Sequence, residues 1–290
     1  MRSHKWAGFK SVLCPIDFSE QSRLALQYAQ AIATRSRARL TVLYVNDPLL
    51  AAAAAALRDR QLQAQAEREL RTFIDASMTS TSRRRCRVKS SVLVGPAVAG
   101  ILKAARTNAC DLIVLGTHGL TGVGRIVIGS TTLGVLRRTS VPVLAVPPLF
   151  KHATSLNLEK WPGTPIVAAV ELGRGASKQV AVAGQIACWF GASLLLAHVV
   201  SDRVTIVQAQ RQLDALARGQ RRAATTTRAV SGSIAEELAA LAVSERVGLV
   251  ITALRDRRGW FDAGRGSISY HVLARAVAPV LAYPQSWRPH

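Results

Sequence analysis

Apolar residues in this chain gather into short runs separated by longer stretches with helical spacing. Five runs stand out in the first half: Val12 to Ile16, Leu40 to Val45, Val88 to Val94, Leu112 to Leu115 and Val143 to Val146. Runs of this length, rich in Val, Leu and Ile, predict buried strands, and the segments between them predict helices. Ser19, followed by Glu20 and Gln21, predicts the start of the first helix. Gly95-Pro96 predicts the start of the third, and Gly232-Ser233 plays that part in the second half. The alanine-rich segment Leu49 to Ser77 reads as a longer helix between the second and third strands. Such alternation predicts consecutive βαβ units, an α/β fold with a doubly wound, mostly parallel, five-stranded sheet.

The pattern then recurs. GSTTLGVLRRTSVPVLAVP, Gly129 to Pro147, aligns without gaps on GSISYHVLARAVAPVLAYP, Gly266 to Pro284, and the register extends back to pair Gly95–Gly116 with Gly232–Ala253. A second gap-free match pairs SVLCPID from Ser11 with PIVAAVE from Pro165, and LTVLYV from Leu40 with LLLAHV from Leu194. An internal repeat of this kind predicts two similar domains in tandem, at 1–148 and 163–290, joined by a linker at 149–162. The two offsets differ by 17 residues, which places the extra chain of the first half in its second helix. Each fifth strand, PVLAV and PVLAY, is short and apolar at the end of its sheet, a position that calls for pairing or cover.

Composition narrows the class. With 290 residues, 49% of them hydrophobic, the chain can build a substantial core in about two domains. Val180 to Val200 is long enough for a membrane span, but Gly184, Gln185, Gly191, Ser193 and His198 interrupt it, so it reads as a buried helix turning into a buried strand. The amino terminus shows no apolar stretch ending in a cleavage site, which predicts a cytoplasmic protein with no membrane partner. Cys14, Cys86, Cys110 and Cys188 form no C-x-x-C pair and predict free thiols without a metal site. Cys86, in the polar run RRRCRVK, is the candidate for redox chemistry. The formal net charge of +21 predicts attraction to polyanions of any kind. No nucleic-acid module or aromatic ladder accompanies the arginine clusters, and aromatics are 5% of residues, so no specific nucleic acid is expected as a partner.

The stretch GTHGLTGVGRIVIGS, Gly116 to Ser130, carries the candidate chemistry. It places five glycines in fifteen positions directly after the fourth strand and opens a helix at Gly129-Ser130. Strand, glycine-rich loop and helix amino terminus together favour an anion, because amide groups without helical partners and the helix dipole both attract negative charge. The hydroxyls of Ser130 and Thr131 add donors. Arg125 is a candidate phosphate contact, whereas His118 has no visible carboxylate partner that would argue for catalysis. Arg125-Ile126 stands where a Walker A loop needs Lys followed by Ser or Thr, and Val127 breaks a G-x-G-x-x-G fingerprint.

Gly116, Gly119, Gly129 and Ser130 match in full the G-x2-G-x9-G-S/T spacing of the universal stress protein family, which the chain resembles. Pro15-Ile16-Asp17-Phe18-Ser19 resembles the end of that family's first strand, and VPVLAV, Val141 to Val146, its last strand. The resemblance implies a Rossmann-like fold that binds ATP, with or without Mg2+. Asp17 and Val45 would hold the adenosine, and Gly116, Gly119, Gly129 and Ser130 the phosphates. It also implies pairing between the two fifth strands as an intramolecular pseudo-dimer, with a further homodimer open. The second half departs from the pattern, having Ala253, Asp256, Gly266 and Ser267 at the four loop positions and Glu171 for Asp17, and is expected not to bind ATP in the family manner. The implied role is a nucleotide-dependent stress regulator without fast catalysis. A slow ATPase or phosphotransferase and a nonspecific polyanion binder are the alternatives.

Overall fold

A computed structural model describes residues 6–46, 60–78, 86–117, 128–148, 158–163, 165–200, 205–220, 222–254, 272–273 and 275–289. The chain divides into two compact units, one formed by Phe9–Pro148 and the other by Leu149–His290 together with Met1–Gly8.

The first unit runs β1 (Ser11–Ile16), α1 (Glu20–Ser36), β2 (Arg39–Asn46), α2 (Arg60–Ser77), β3 (Arg87–Val94), α3 (Ala97–Thr107), β4 (Leu112–Gly116), α4 (Ser130–Leu136) and β5 (Val143–Val146). Its strands are all parallel in the order β3-β2-β1-β4-β5. All six residues of β1 are buried, as expected for a central strand covered on both faces. The outermost strand, β3, instead alternates exposed and half-buried positions at its start. Asp111 fastens the start of the sheet, since its two carboxylate oxygens accept from the backbone N–H groups of Lys10 and Ser11 at 2.8 and 2.9 Å. The part of the predicted Leu49 to Ser77 helix before Arg60 lies outside the described residues.

The second unit repeats the plan with β6 (Ile166–Ala169), α5 (Ala176–Phe190), β7 (Leu194–Val200), α6 (Ile206–Arg218), β8 (Thr225–Ser231), α7 (Ile234–Ser244), β9 (Leu249–Leu254) and β10 (Val280–Pro284). Its parallel order is β8-β7-β6-β9-β10. The apolar run Val180 to Val200 divides as its glycine suggests. Gly191, at φ 69°, ends α5 and donates its N–H to the carbonyls of Ala187 and Cys188 before β7 begins. Among the described residues no helix is long and apolar enough to cross a membrane.

Trp6 belongs to this second unit. Its ring centroid lies 5.2 Å from that of Trp189 and 6.1 Å from that of Trp287, and a Cβ at Gly8 would stand 2.4 Å from the Trp189 indole nitrogen. Aromatic burial thus recruits the first described residues to the domain farther along the chain.

All four cysteines are free thiols, and Cys14, Cys86 and Cys110 are buried. Cys86 does not have the exposure its polar sequence neighbours suggest. Burial pushes its thiol up, which disfavours the reactive thiolate.

Candidate functional site

In an open parallel sheet the ligand crevice forms at the carboxyl ends of the strands where strand order reverses. Here β1 has β2 on one side and β4 on the other. Ile16, the last residue of β1, pairs with Tyr44, so Asp17 follows β1 next to Val45, which is still paired with Leu93 of β3, and Gly116 closes the neighbouring β4.

Asp17 builds the turn into α1. Its Oδ1 accepts from the backbone N–H of Ser19 at 3.1 Å and from the Ser19 hydroxyl at 2.5 Å. The Ser19 oxygen in turn accepts from the N–H of Ser22 at 3.1 Å, the side-chain cap that the sequence predicts at this helix start. Phe18, between them, sits at φ 64°, in the left-handed region that bulky side chains rarely adopt. Its ring is held 4.7 Å from Tyr44 and 5.5 Å from Phe73, centroid to centroid. The Arg23 guanidinium lies 4.9 Å from the Phe73 ring centre. The strained turn is therefore fixed from two directions, by a carboxylate below and an aromatic cluster above.

Val45 packs its side chain against α3, where a Cβ on Gly100 would stand 3.0 Å from Val45 Cγ1. That contact occupies the side chain and leaves the backbone as the group Val45 can offer a ligand. The N–H of Gly95, the first residue after β3, donates to the Asn46 carbonyl at 3.1 Å and closes this side of the crevice.

The glycine loop is described at its two stems. At the first, Gly116 approaches α1 so closely that a Cβ would lie 3.1 Å from both the carbonyl oxygen and the Cβ of Gln21. A side chain at 116 would crowd α1 whatever the loop binds. At the second, Gly129 caps α4 with no side-chain hydrogen bond, and the first helical N–H to reach back is that of Leu133, donating to the Gly129 carbonyl at 3.0 Å. The amides of Ser130, Thr131 and Thr132 therefore have no acceptor within the helix. Ser130 is exposed and Thr131 half-buried.

Three bonds brace the stems: Thr117 N–H to the Val146 carbonyl at 2.9 Å, Gly129 N–H to the Thr117 carbonyl at 2.7 Å, and the Thr132 hydroxyl to the Gly116 carbonyl at 2.7 Å. Gly119 and Arg125, with His118, lie outside the described residues.

Two residues that sequence reasoning passed over belong to this arrangement. Thr132 is one, and its signal was a polar side chain on the inward face of an otherwise apolar helical turn. Gln21 is the other: its Oε1 is buried without a hydrogen-bond partner among the described residues. The crevice thus offers amides and hydroxyls, a set that suits an anionic ligand. Among the described residues no group of three or more His, Cys, Asp or Glu side chains could hold a metal ion.

In the second unit Glu171 follows β6 where Asp17 follows β1, and its N–H donates to Gln179 Oε1 at 2.9 Å. Ala253 stands in place of the first loop glycine, while Asp256, Gly266 and Ser267 lie outside the described residues.

Residues 8–147 match the profile of the universal stress protein family. A universal stress protein of Thermus aquaticus is 31% identical over 139 residues, covering 48% of this chain and 98% of that protein. One from Methanocaldococcus jannaschii is 27% identical over 153 residues, covering 48% of this chain and 94% of that protein. The crystal structure of a universal stress protein from Archaeoglobus fulgidus shares the fold over 97% of this chain and 98% of its own, with a TM-score of 0.70 at 20% identity. With its switch-point crevice, its braced loop stems and these likenesses, the chain belongs to the universal stress protein family.

Proposed function

We propose that the chain binds ATP through its first unit and acts in the cytoplasm as a nucleotide-responsive regulator of the stress response, without fast catalysis. The observation that carries this reading is the pair of loop stems. Gly116 ends β4 beside Asp17 and Val45, and the uncapped amino terminus of α4 supplies amides at Ser130 and Thr131, with the Gly116-x2-Gly119-x9-Gly129-Ser130 spacing running between.

In this reading Asp17 and the Val45 backbone hold the adenosine. Gly116, Gly119, Gly129, Ser130 and Thr131 line the phosphates, and Arg125 adds a charge-assisted contact. The second unit, with Glu171, Ala253 and Asp256 in place of Asp17, Gly116 and Gly119, does not take ATP in this way.

Calorimetric titration of the full chain with ATP tests the proposal. One ATP per chain is expected, with Gly119→Val weakening it at least about tenfold at an unchanged melting temperature, because a side chain there would hold the phosphates off the backbone. Equal affinity in a folded Gly119→Val protein refutes it, and so does a stoichiometry of two.

We also propose that β5 and β10, the last strands of their respective units, pair with each other. Cleaving the linker at 149–162 should then leave the two halves eluting together on a sizing column, whereas their separation would contradict the pairing.

A further inference from the structure

The first unit carries five cations on one face, at the end of the sheet opposite the nucleotide crevice. Val45 packs against Gly100 of α3, and alternation along β2 puts Arg39 on the same side of the sheet as Val45. In the parallel register Arg39 is the partner of Arg87 and Thr41 of Lys89, so both β3 cations point to the α3 side as well. The end of α3 reaches the start of β1, where the Ser11 hydroxyl donates to the Asn108 carbonyl at 3.2 Å, and the helix presents Lys103 and Arg106 outward in its last two turns. All five side chains are exposed, and none forms an ion pair among the described residues.

No Asp or Glu occurs in β2, β3 or α3. The acids of α2 belong to a helix that meets β3 from the opposite side, at Val88 and Ser90. Asp111, at the same end of the sheet, gives its two oxygens to the N–H groups of Lys10 and Ser11. Arg39 and Arg87 therefore stand on neighbouring strands, about 4.8 Å apart, as like charges that repel unless an anion lies between them. The internal repeat shows that the fold does not need them. The matching positions of the second unit hold Ser193, Ala224, Thr226, Ala240 and Val243. There the one Lys or Arg of β7, β8 and α7 is Arg228, which pairs with Glu245 at 3.0 Å, and α7 brings Glu236 and Glu237. A surplus of arginine spread evenly along the chain would have fallen on both units.

We infer that this face binds the sugar-phosphate backbone of a nucleic-acid duplex without reading its sequence. Guanidinium forks at Arg39, Arg87 and Arg106 suit phosphate oxygens, and the ammonium groups of Lys89 and Lys103 add charge. Tyr44 is the one aromatic residue on the three elements, and its ring is taken up by Phe18 near the other end of the sheet. No platform remains for stacking unpaired bases, which favours a duplex over a single strand. Val94, the one large apolar side chain exposed on these elements, is at the far end of β3, so the cations have no apolar anchor beside them for a lipid surface. This inference does not rest on ATP binding in the crevice.

The test follows the fluorescence anisotropy of a short labelled DNA duplex of mixed sequence titrated with the full chain. Micromolar binding is expected at low salt, weakening steeply between about 50 and 200 mM. Arg87→Gln combined with Lys89→Gln should weaken the duplex at least about fivefold and make the slope of log affinity against log salt shallower by about two. Lys103→Gln combined with Arg106→Gln, on an exposed helix surface, should act in the same way. Arg211→Gln combined with Arg218→Gln removes the same charge from α6 and should change neither quantity.

Absence of binding by the unsubstituted protein at low salt overturns the proposal and requires no variant to fold. An unchanged slope in the two face variants, with melting temperatures like that of the original, does so as well. Equal weakening by the α6 variant would assign the binding to net charge alone and overturn it too. So would tighter binding of the single strand, or tighter binding of phosphatidylserine vesicles than of the duplex. Failure of ATP to bind the first unit would appear in calorimetry and would leave the duplex readout as it is.

Discussion

Gly116, the last residue of β4, lies against the first turn of α1 so closely that a Cβ on it would stand 3.1 Å from the Gln21 carbonyl oxygen. The neighbour is backbone and cannot rotate away. Gly116→Ala is therefore expected to displace α1 and destabilise the first unit by about 1–3 kcal/mol, the usual range for overpacking. Denaturant unfolding followed by circular dichroism measures it. A stability within experimental error of the original would show that α1 has room to move, and would return Gly116 to a purely ligand-facing role.

Thr132 ties the same strand to α4 through its hydroxyl, which donates to the Gly116 carbonyl at 2.7 Å. Thr132→Val keeps the shape and removes the donor, leaving the carbonyl without that partner. The expected cost is about 1–2 kcal/mol. Hydrogen exchange should also quicken at the amides of Thr117 and Gly129, which form the rest of the brace. Unchanged exchange at these two positions would mean the brace does not act as a unit.

The strands were legible in the sequence to within about a residue at each end, because a central parallel strand such as β1 is buried on both faces and so reads as an unbroken apolar run. The loop stems were legible for a related reason: glycine spacing marks where a backbone must do something side chains prevent.

What the sequence did not reveal are contacts between residues far apart in the chain. Nothing in the pattern around Gln21 announces that its carbonyl touches Gly116, nor does the amino-terminal segment announce that Trp6 packs with Trp189 and Trp287. The predicted helix starts at Ser19 and Ser233 both hold, but their capping chemistry differs. Ser233 caps α7 by position, yet its side chain makes no capping hydrogen bond, whereas Ser19 at α1 does.

The repeat exposes an asymmetry at the ends of α1 and α5. Gly191 closes α5 at φ 69°, while Arg37, at the matching place after α1, sits at φ 55°. Both close the helix in the same way, with Ala38 N–H donating to the Ala33 carbonyl at 2.8 Å and Ala192 N–H to the Ala187 carbonyl at 3.0 Å. An arginine there bears the left-handed cost that glycine avoids. Arg37→Gly is expected to stabilise the first unit by about 0.5–1 kcal/mol, because relief of that strain exceeds the added flexibility of the unfolded chain. A lower melting temperature would show that the arginine makes a compensating contact.

Thiol chemistry should separate the four cysteines. Cys14 is completely buried, and burial pushes its thiol far up. Cys110 is raised by burial, which outweighs its hydrogen bond with Ser11. Cys188 alone is half-buried. An aromatic disulfide reagent at neutral pH should modify Cys188 first in the native protein and reach all four after denaturation. Rapid native labelling of Cys14 would mean that the core around β1 opens far more readily than its packing implies.

Asp214 on α6 gives the second unit a pH dependence of definite sign. Its Oδ1 accepts from the Thr227 hydroxyl on β8 and, at 2.9 Å, from the Gln210 carboxamide, whose own oxygen accepts from the Ala229 N–H at 2.8 Å. The Thr227 hydrogen bond first, and the Gln210 hydrogen bond after it, hold the carboxyl below the usual carboxylate range. These bonds favour the charged form in the folded state only. The stabilisation is therefore fully present above the unfolded pKa, about 3.9, and is lost as pH falls through the depressed folded value.

Asp214→Asn is neutral at every pH and should remove this component. Between pH 5 and pH 3, taken as about one unit either side of that reference, the variant's melting temperature is expected to fall less steeply than that of the original protein. Parallel acid limbs would show that the α6–β8 network does not distinguish a carboxylate from an amide.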